Sequence, residues 1–162
     1  MTAEANAPVA SFTGIRNGIF ALRPDELGLQ PHPRFRVWGF LMEMGTADTV
    51  MTLVALGDGT VSLYFGNGAG ITGIGQHEKP KHVLKHILTM APDFLGHTMP
   101  TEEFPLAPPQ RVLFYFLTFE GVRAAHGGQD DLGTGEHALY PIFEKATELI
   151  ACAREIEQAA RP

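Results

Sequence analysis

A chain of 162 residues, 44% hydrophobic and 19% charged, has the make-up of one globular domain and excludes a disordered or staple-dependent chain. Its formal charge of −6, from 12 Lys and Arg against 18 Asp and Glu, excludes a general nucleic-acid binder, because such binding rests on neutralising phosphates. The single cysteine, Cys152, excludes an intramolecular disulfide. The longest apolar run, Val112 to Phe119, falls far short of the ~20 residues that span a bilayer.

Met1 to Ala10 is small and polar, and reads as a disordered tail before one α+β domain over 11–162. It carries neither a basic n-region nor an apolar h-region, so the expectation is a cytoplasmic protein without a membrane role. Phe12, Ile15, Ile19 and Leu22 recur at helical spacing, weakened by Gly14 and Gly18, and Pro24 to Leu27 adds a turn. Arg36 to Glu43 is an imperfectly alternating strand. Val50 to Leu56 and Val61 to Phe65 are two further strands, joined by Gly57-Asp58-Gly59, whose permissive dihedrals suit a tight hairpin.

After a glycine-rich connection over 66–75, a helix follows with Pro80 in its first turn and Val83, Leu84, Ile87, Leu88 and Met90 as its apolar stripe. Gly96 to Pro109 holds Pro100, Pro105, Pro108 and Pro109 and reads as a long loop. Arg111 to Phe119 is a near-continuous apolar strand of the kind buried at a sheet centre, and Val122 to His126 a short returning one. The last helix starts between His137 and Tyr140, because Pro141 is tolerated only in a first turn. Ile142, Ala146, Leu149, Ala153 and Ile156 form its stripe, with Cys152 as a buried inert thiol. The predicted order is α-β-β-β-α-β-β-α: α+β, a mostly antiparallel sheet of about five strands covered by three helices.

The strand–DG–strand unit from Val50 to Phe65, flanked by helices, resembles roadblock and longin-like domains in layout. It departs from the roadblock pattern in having three strands before the middle helix, where that family has two. Val37-Trp38-Gly39, Leu53 to Leu56 and Ser62 to Phe65 together resemble bacterial proteins of no assigned function. Neither likeness implies a catalytic residue.

Two neighbouring stretches carry candidate chemistry. Gly68-Ala69-Gly70-Ile71-Thr72-Gly73 satisfies G-x-G-x-x-G after a strand. Dinucleotide binding also needs a helix opening at the third glycine inside a βαβ unit, and here the helix waits until about Pro80. The segment His77 to His86 offers a cationic helix entrance, with His77, Lys79, Lys81 and Lys85 beside glycine amides that could cradle a phosphate-bearing ligand. His82 and His86, four apart on one helical face, are candidate zinc ligands, with His77 or Glu78 as a third. Three interleaved lysines oppose a cation there, and no cofactor is expected outright.

The sequence contains no nucleophile elbow and no Walker lysine loop. The favoured expectation is therefore a non-enzymatic regulatory or protein-interaction domain, paired with a second copy or another protein through a sheet edge or the last helix's stripe. The alternative is a small-molecule or anion binder, extending to a metal-assisted hydrolase, sited between Gly66 and His86.

Overall fold

The computed structural model describes residues 8–161. Seven strands form one sheet: β1 Val37–Gly45, β2 Val50–Leu56, β3 Val61–Phe65, β4 Gly70–Ile71, β5 Met99–Thr101, β6 Arg111–Thr118 and β7 Gly121–Gly128. Their order across the sheet is β4-β3-β2-β1-β6-β7-β5, with every neighbouring pair antiparallel. Four α-helices accompany it: α1 Ala10–Phe20, α2 Glu78–Met90, α3 Gln129–Gly133 and α4 Tyr140–Ala160. Short 3-10 segments lie at Pro24–Leu27, Ile74–Gln76 and Ala91–His97.

The α+β class and the antiparallel sheet agree with the sequence reading, but the element count does not. Two strands beyond the expected five, β4 and β5, are only two and three residues long. They lie inside the stretches read as loops, because an edge strand that short has no room for a two-residue period. A fourth helix, α3, lies between β7 and α4, and its five residues are likewise too few for a helical stripe. The expected tail lies mostly outside the described residues; of its last three, Val9 donates to the Gly66 carbonyl at 2.8 Å and Ala10 opens α1.

Both faces of the sheet are covered. One carries α2 and α4, which bury Val83, Leu84, Ile87 and Leu88 from the first and Ile142, Ala146, Leu149, Ile150 and Ala153 from the second. Each fully buried aliphatic side chain contributes roughly 1.5–3 kcal/mol of transfer free energy. The stripe of α4 is thus turned to its own sheet. Cys152 is buried beside it, and burial pushes its thiol up.

The opposite face carries α1, the Pro24–Leu27 turn and the segment around Phe104, packed on Trp38, Leu41, Val54, Leu56, Tyr115 and Leu117. A register shift between Val37 and Gly39 sets which side chains go where. The extra residue lets Val37 and Phe40 both face α2 and α4, while Trp38 and Leu41 face α1. Imperfect alternation in the sequence of β1 is the trace of that bulge.

Candidate functional site

The charged group at the centre of the molecule is structural. Glu43 points from β1 toward α1 with no solvent exposure, and Arg16 of α1 meets it with two donors, Nε to Oε2 at 2.7 Å and Nη2 to Oε1 at 3.0 Å. The Thr52 hydroxyl and the Ala107 amide also donate to the carboxylate, at 2.8 and 3.1 Å. The remaining guanidinium donors reach the carbonyls of Phe104, at 2.8 Å, and Pro105, at 3.0 Å. Tyr115 donates to the same Pro105 carbonyl at 2.6 Å, and Phe20 stacks on Phe104 with centroids 4.2 Å apart. Burial pushes the Tyr115 hydroxyl up to about 12, against the opposing pull of Arg16. Among the described residues no buried side-chain polar atom lacks a partner. A group with four of its five guanidinium hydrogens and its whole carboxylate engaged inside the protein fastens α1 and the proline-rich loop to the sheet.

The glycine and lysine candidates lie in different settings. Gly68 turns the chain between β3 and β4 with φ +96°, and Gly70 pairs with Tyr64 in β4. Gly73, at φ +72°, opens the Ile74–Gln76 turn. The third glycine therefore does not start a helix, and the unit before it is an antiparallel hairpin. Gly73 does line a groove of about 430 Å³ off the edge of β3, walled by Asp58, Thr60, Ser62, Tyr64, Thr72 and Gln76. His77, Lys79, Lys81 and Lys85 lie outside its lining.

Those four residues instead follow the surface of α2. His77 caps the helix through its backbone, without a side-chain cap bond, and Glu78 in the first turn already answers the positive helix end. Lys79 lies 3.9 Å from Glu155 of α4, and Lys81 lies 3.8 Å from Glu78. His82 is 3.9 Å from Glu78, with both side chains more than three-quarters exposed. Lys85 and His86 are exposed on the same outer face. Pairs this open to water are worth at most about 1 kcal/mol. Among the described residues no three His, Cys, Asp or Glu side chains come together as a metal would need.

Searches of family models, curated proteins and solved structures find no match to the chain. What it can do must be read from its own surface. Among the described residues no helix is long and apolar enough to cross a membrane.

Two features escaped the sequence reading. The sheet's two edges are unlike. At β3 the edge is blunted by two-residue β4 and by Gly75, which sits so close to Gly59 that an added Cβ would lie 1.9 Å from its carbonyl oxygen. At β7 the covering strand β5 pairs only with Val122 to Ala124, so the backbone from Ala125 to Gly128 has no strand beyond it. Beside that opening, Met99 is 73% exposed. Its position next to Pro100 is the one sequence signal, since proline within a sheet belongs to edge strands.

The other feature is a cavity of about 440 Å³ at the β6–β7 turn, whose lining includes Arg36 and Arg123. Neither arginine stands in a motif, which left both unremarked.

Proposed function

We propose that the chain is a non-enzymatic interaction domain that pairs with a second copy of itself through the β5–β7 edge. The observation that carries this reading is the stretch of β7 from Ala125 to Gly128, which pairs with β6 but has no strand on its outer side, on a sheet whose other edge is blunted. An open edge is a template for strand addition: main-chain bonds supply the affinity and neighbouring side chains the selectivity. Two identical edges meeting about a two-fold axis give an antiparallel β7–β7 seam, a closed and self-complementary arrangement. Met99 lies at the rim of that seam, where a large apolar side chain is otherwise left to solvent.

The test is molar mass by light scattering across a concentration series reaching about 100 μM. The expected result is a shift toward twice the chain mass, with slowed hydrogen exchange at the outward-facing His126 and Gly128 amides. Met99→Lys, which adds a charge at an exposed edge position, is expected to restore the monomer without loss of fold. A monomer at every concentration would overturn the reading. So would a dimer that Met99→Lys leaves intact and in which those amides exchange freely.

A further inference from the structure

The cavity at the β6–β7 turn is bounded by the last residues of β6, the start of β7, Pro100 of β5 and Leu95-Gly96 of the 3-10 segment. Its volume of about 440 Å³ lies in the range that small ligands occupy. The walls divide chemically. Leu95, Pro100 and Val122 are apolar, while Arg36 and Arg123 bring two positive charges into a chain whose net charge is −6.

The two guanidiniums differ in how they are held. Arg123 Nε donates to the Thr98 hydroxyl at 2.7 Å and its Nη2 to the Thr98 carbonyl at 2.9 Å. Thr98 is itself buried and passes its own proton to the Leu95 carbonyl at 2.7 Å. This chain fixes the guanidinium plane and leaves the Nη1 donors unengaged. Arg36 is exposed and makes neither an ion pair nor a side-chain hydrogen bond among the described residues. Arg123 has no carboxylate partner either. Glu120, the one acid in the lining, pairs with neither of them.

Two arginines with no ion-pair partner among the described residues, at one cavity, contrast with Arg16, which is paired with a buried carboxylate. A planar guanidinium fixed from behind presents its free donors in the fork that carboxylates and phosphates fit. We propose that this cavity binds a small organic anion. Its carboxylate or phosphate group is held by Arg123 and flanked by Arg36, and its carbon portion lies against Leu95, Pro100 and Val122. The proposal does not rest on edge pairing or on the Gly66–His86 region: Pro100, Val122 and Arg123 stand where β5 and β7 pair, outside the Ala125–Gly128 stretch.

The experiment is a titration of the full chain followed by amide NMR, with benzoate and phenyl phosphate as probes and benzyl alcohol as the uncharged control. At least one anion is expected to shift the Leu95–Thr98 and Thr118–Arg123 amides saturably, with Kd on the order of 1 mM. Which anion binds separates a carboxylate site from a phosphate site. Arg36→Gln, at an exposed position, is expected to weaken binding about tenfold, the loss of one charged contact worth roughly 1.4 kcal/mol. Arg123→Gln is expected to abolish it. If that variant loses its native spectrum, Arg123→Lys decides, because it keeps the charge and removes the fork; several-fold weaker binding is expected. The proposal is overturned if neither anion shifts those amides saturably, or if benzyl alcohol does so equally well. Unchanged affinity in both Arg36→Gln and the folded Arg123 variant overturns it too.

Discussion

Glu43 sits at the centre of a sheet with four hydrogen bonds from three residues and no contact with water. Two charges taken out of solvent repay their desolvation only when both are present and satisfied. Arg16→Ala should therefore cost about 3–5 kcal/mol of unfolding free energy, since it strands the carboxylate in an apolar setting. Replacing the pair together, as in Arg16→Met/Glu43→Leu, should cost less than the single change. A denaturant double-mutant cycle built from Arg16→Met, Glu43→Leu and the double variant measures the coupling, and a double loss equal to the sum of the two single losses would mean that the pair is not coupled. Tyr115 supplies a pH test. Its hydroxyl stays protonated in the fold up to about 12, whereas in the unfolded chain it ionises near 10. The unfolded state thus binds fewer protons between those values, and stability falls as pH rises through about 10 to 12. Tyr115→Phe should flatten that decline in urea midpoints taken across the window. At this scale the sequence did carry a clue: Glu43 is the only charge between Val37 and Gly45, and Arg16 the only one between Ala10 and Phe20. The clue lacked a partner, because 27 residues separate the two and nothing local says that the helix crosses that strand.

Among the elements, those with a full period were legible and those without were not. Val50–Leu56 and Val61–Phe65 fall where their apolar runs and the Gly57-Asp58-Gly59 turn put them, and α4 begins at Tyr140, within the window that Pro141 allows. The edge strands β4 and β5 form because a neighbour offers backbone partners, which is a tertiary cause with no local signature. Gly45 shows the same dependence. It ends β1 where the 107–109 segment crosses, and a Cβ there would lie 2.0 Å from the Pro108 carbonyl oxygen. Its own carbonyl accepts from the Gln110 amide at 3.0 Å and from the Gln129 side chain at 2.9 Å. Gly45→Ala should accordingly destabilise by about 3 kcal/mol, near the upper end of overpacking costs. Gly133→Ala, with open space around the site, should leave the thermal midpoint nearly unchanged. Equal midpoint shifts for the two glycines would refute the crossing argument.

At the scale of the whole molecule, a sheet covered on both faces leaves its rims as the natural places for recognition. The candidate region between Gly66 and His86 was chosen from residue types adjacent in sequence. The fold separates them: Gly73 faces a groove beside β3, and the lysines ride the outer surface of α2. Arg36 and Arg123, far apart in the chain, line one cavity. Spacing in sequence does not carry over to space, because the sheet brings distant strand ends together and sets neighbouring segments on different surfaces. The clamp around Arg16 has a temporal meaning as well. Its guanidinium reaches forward 27 residues to Glu43 and 89 residues to the Pro105 carbonyl. A ribosome must therefore extrude most of the polypeptide before the first helix can lock in place. Until then the apolar surface of that helix stays open to passing holdases, and its docking is among the late events of maturation.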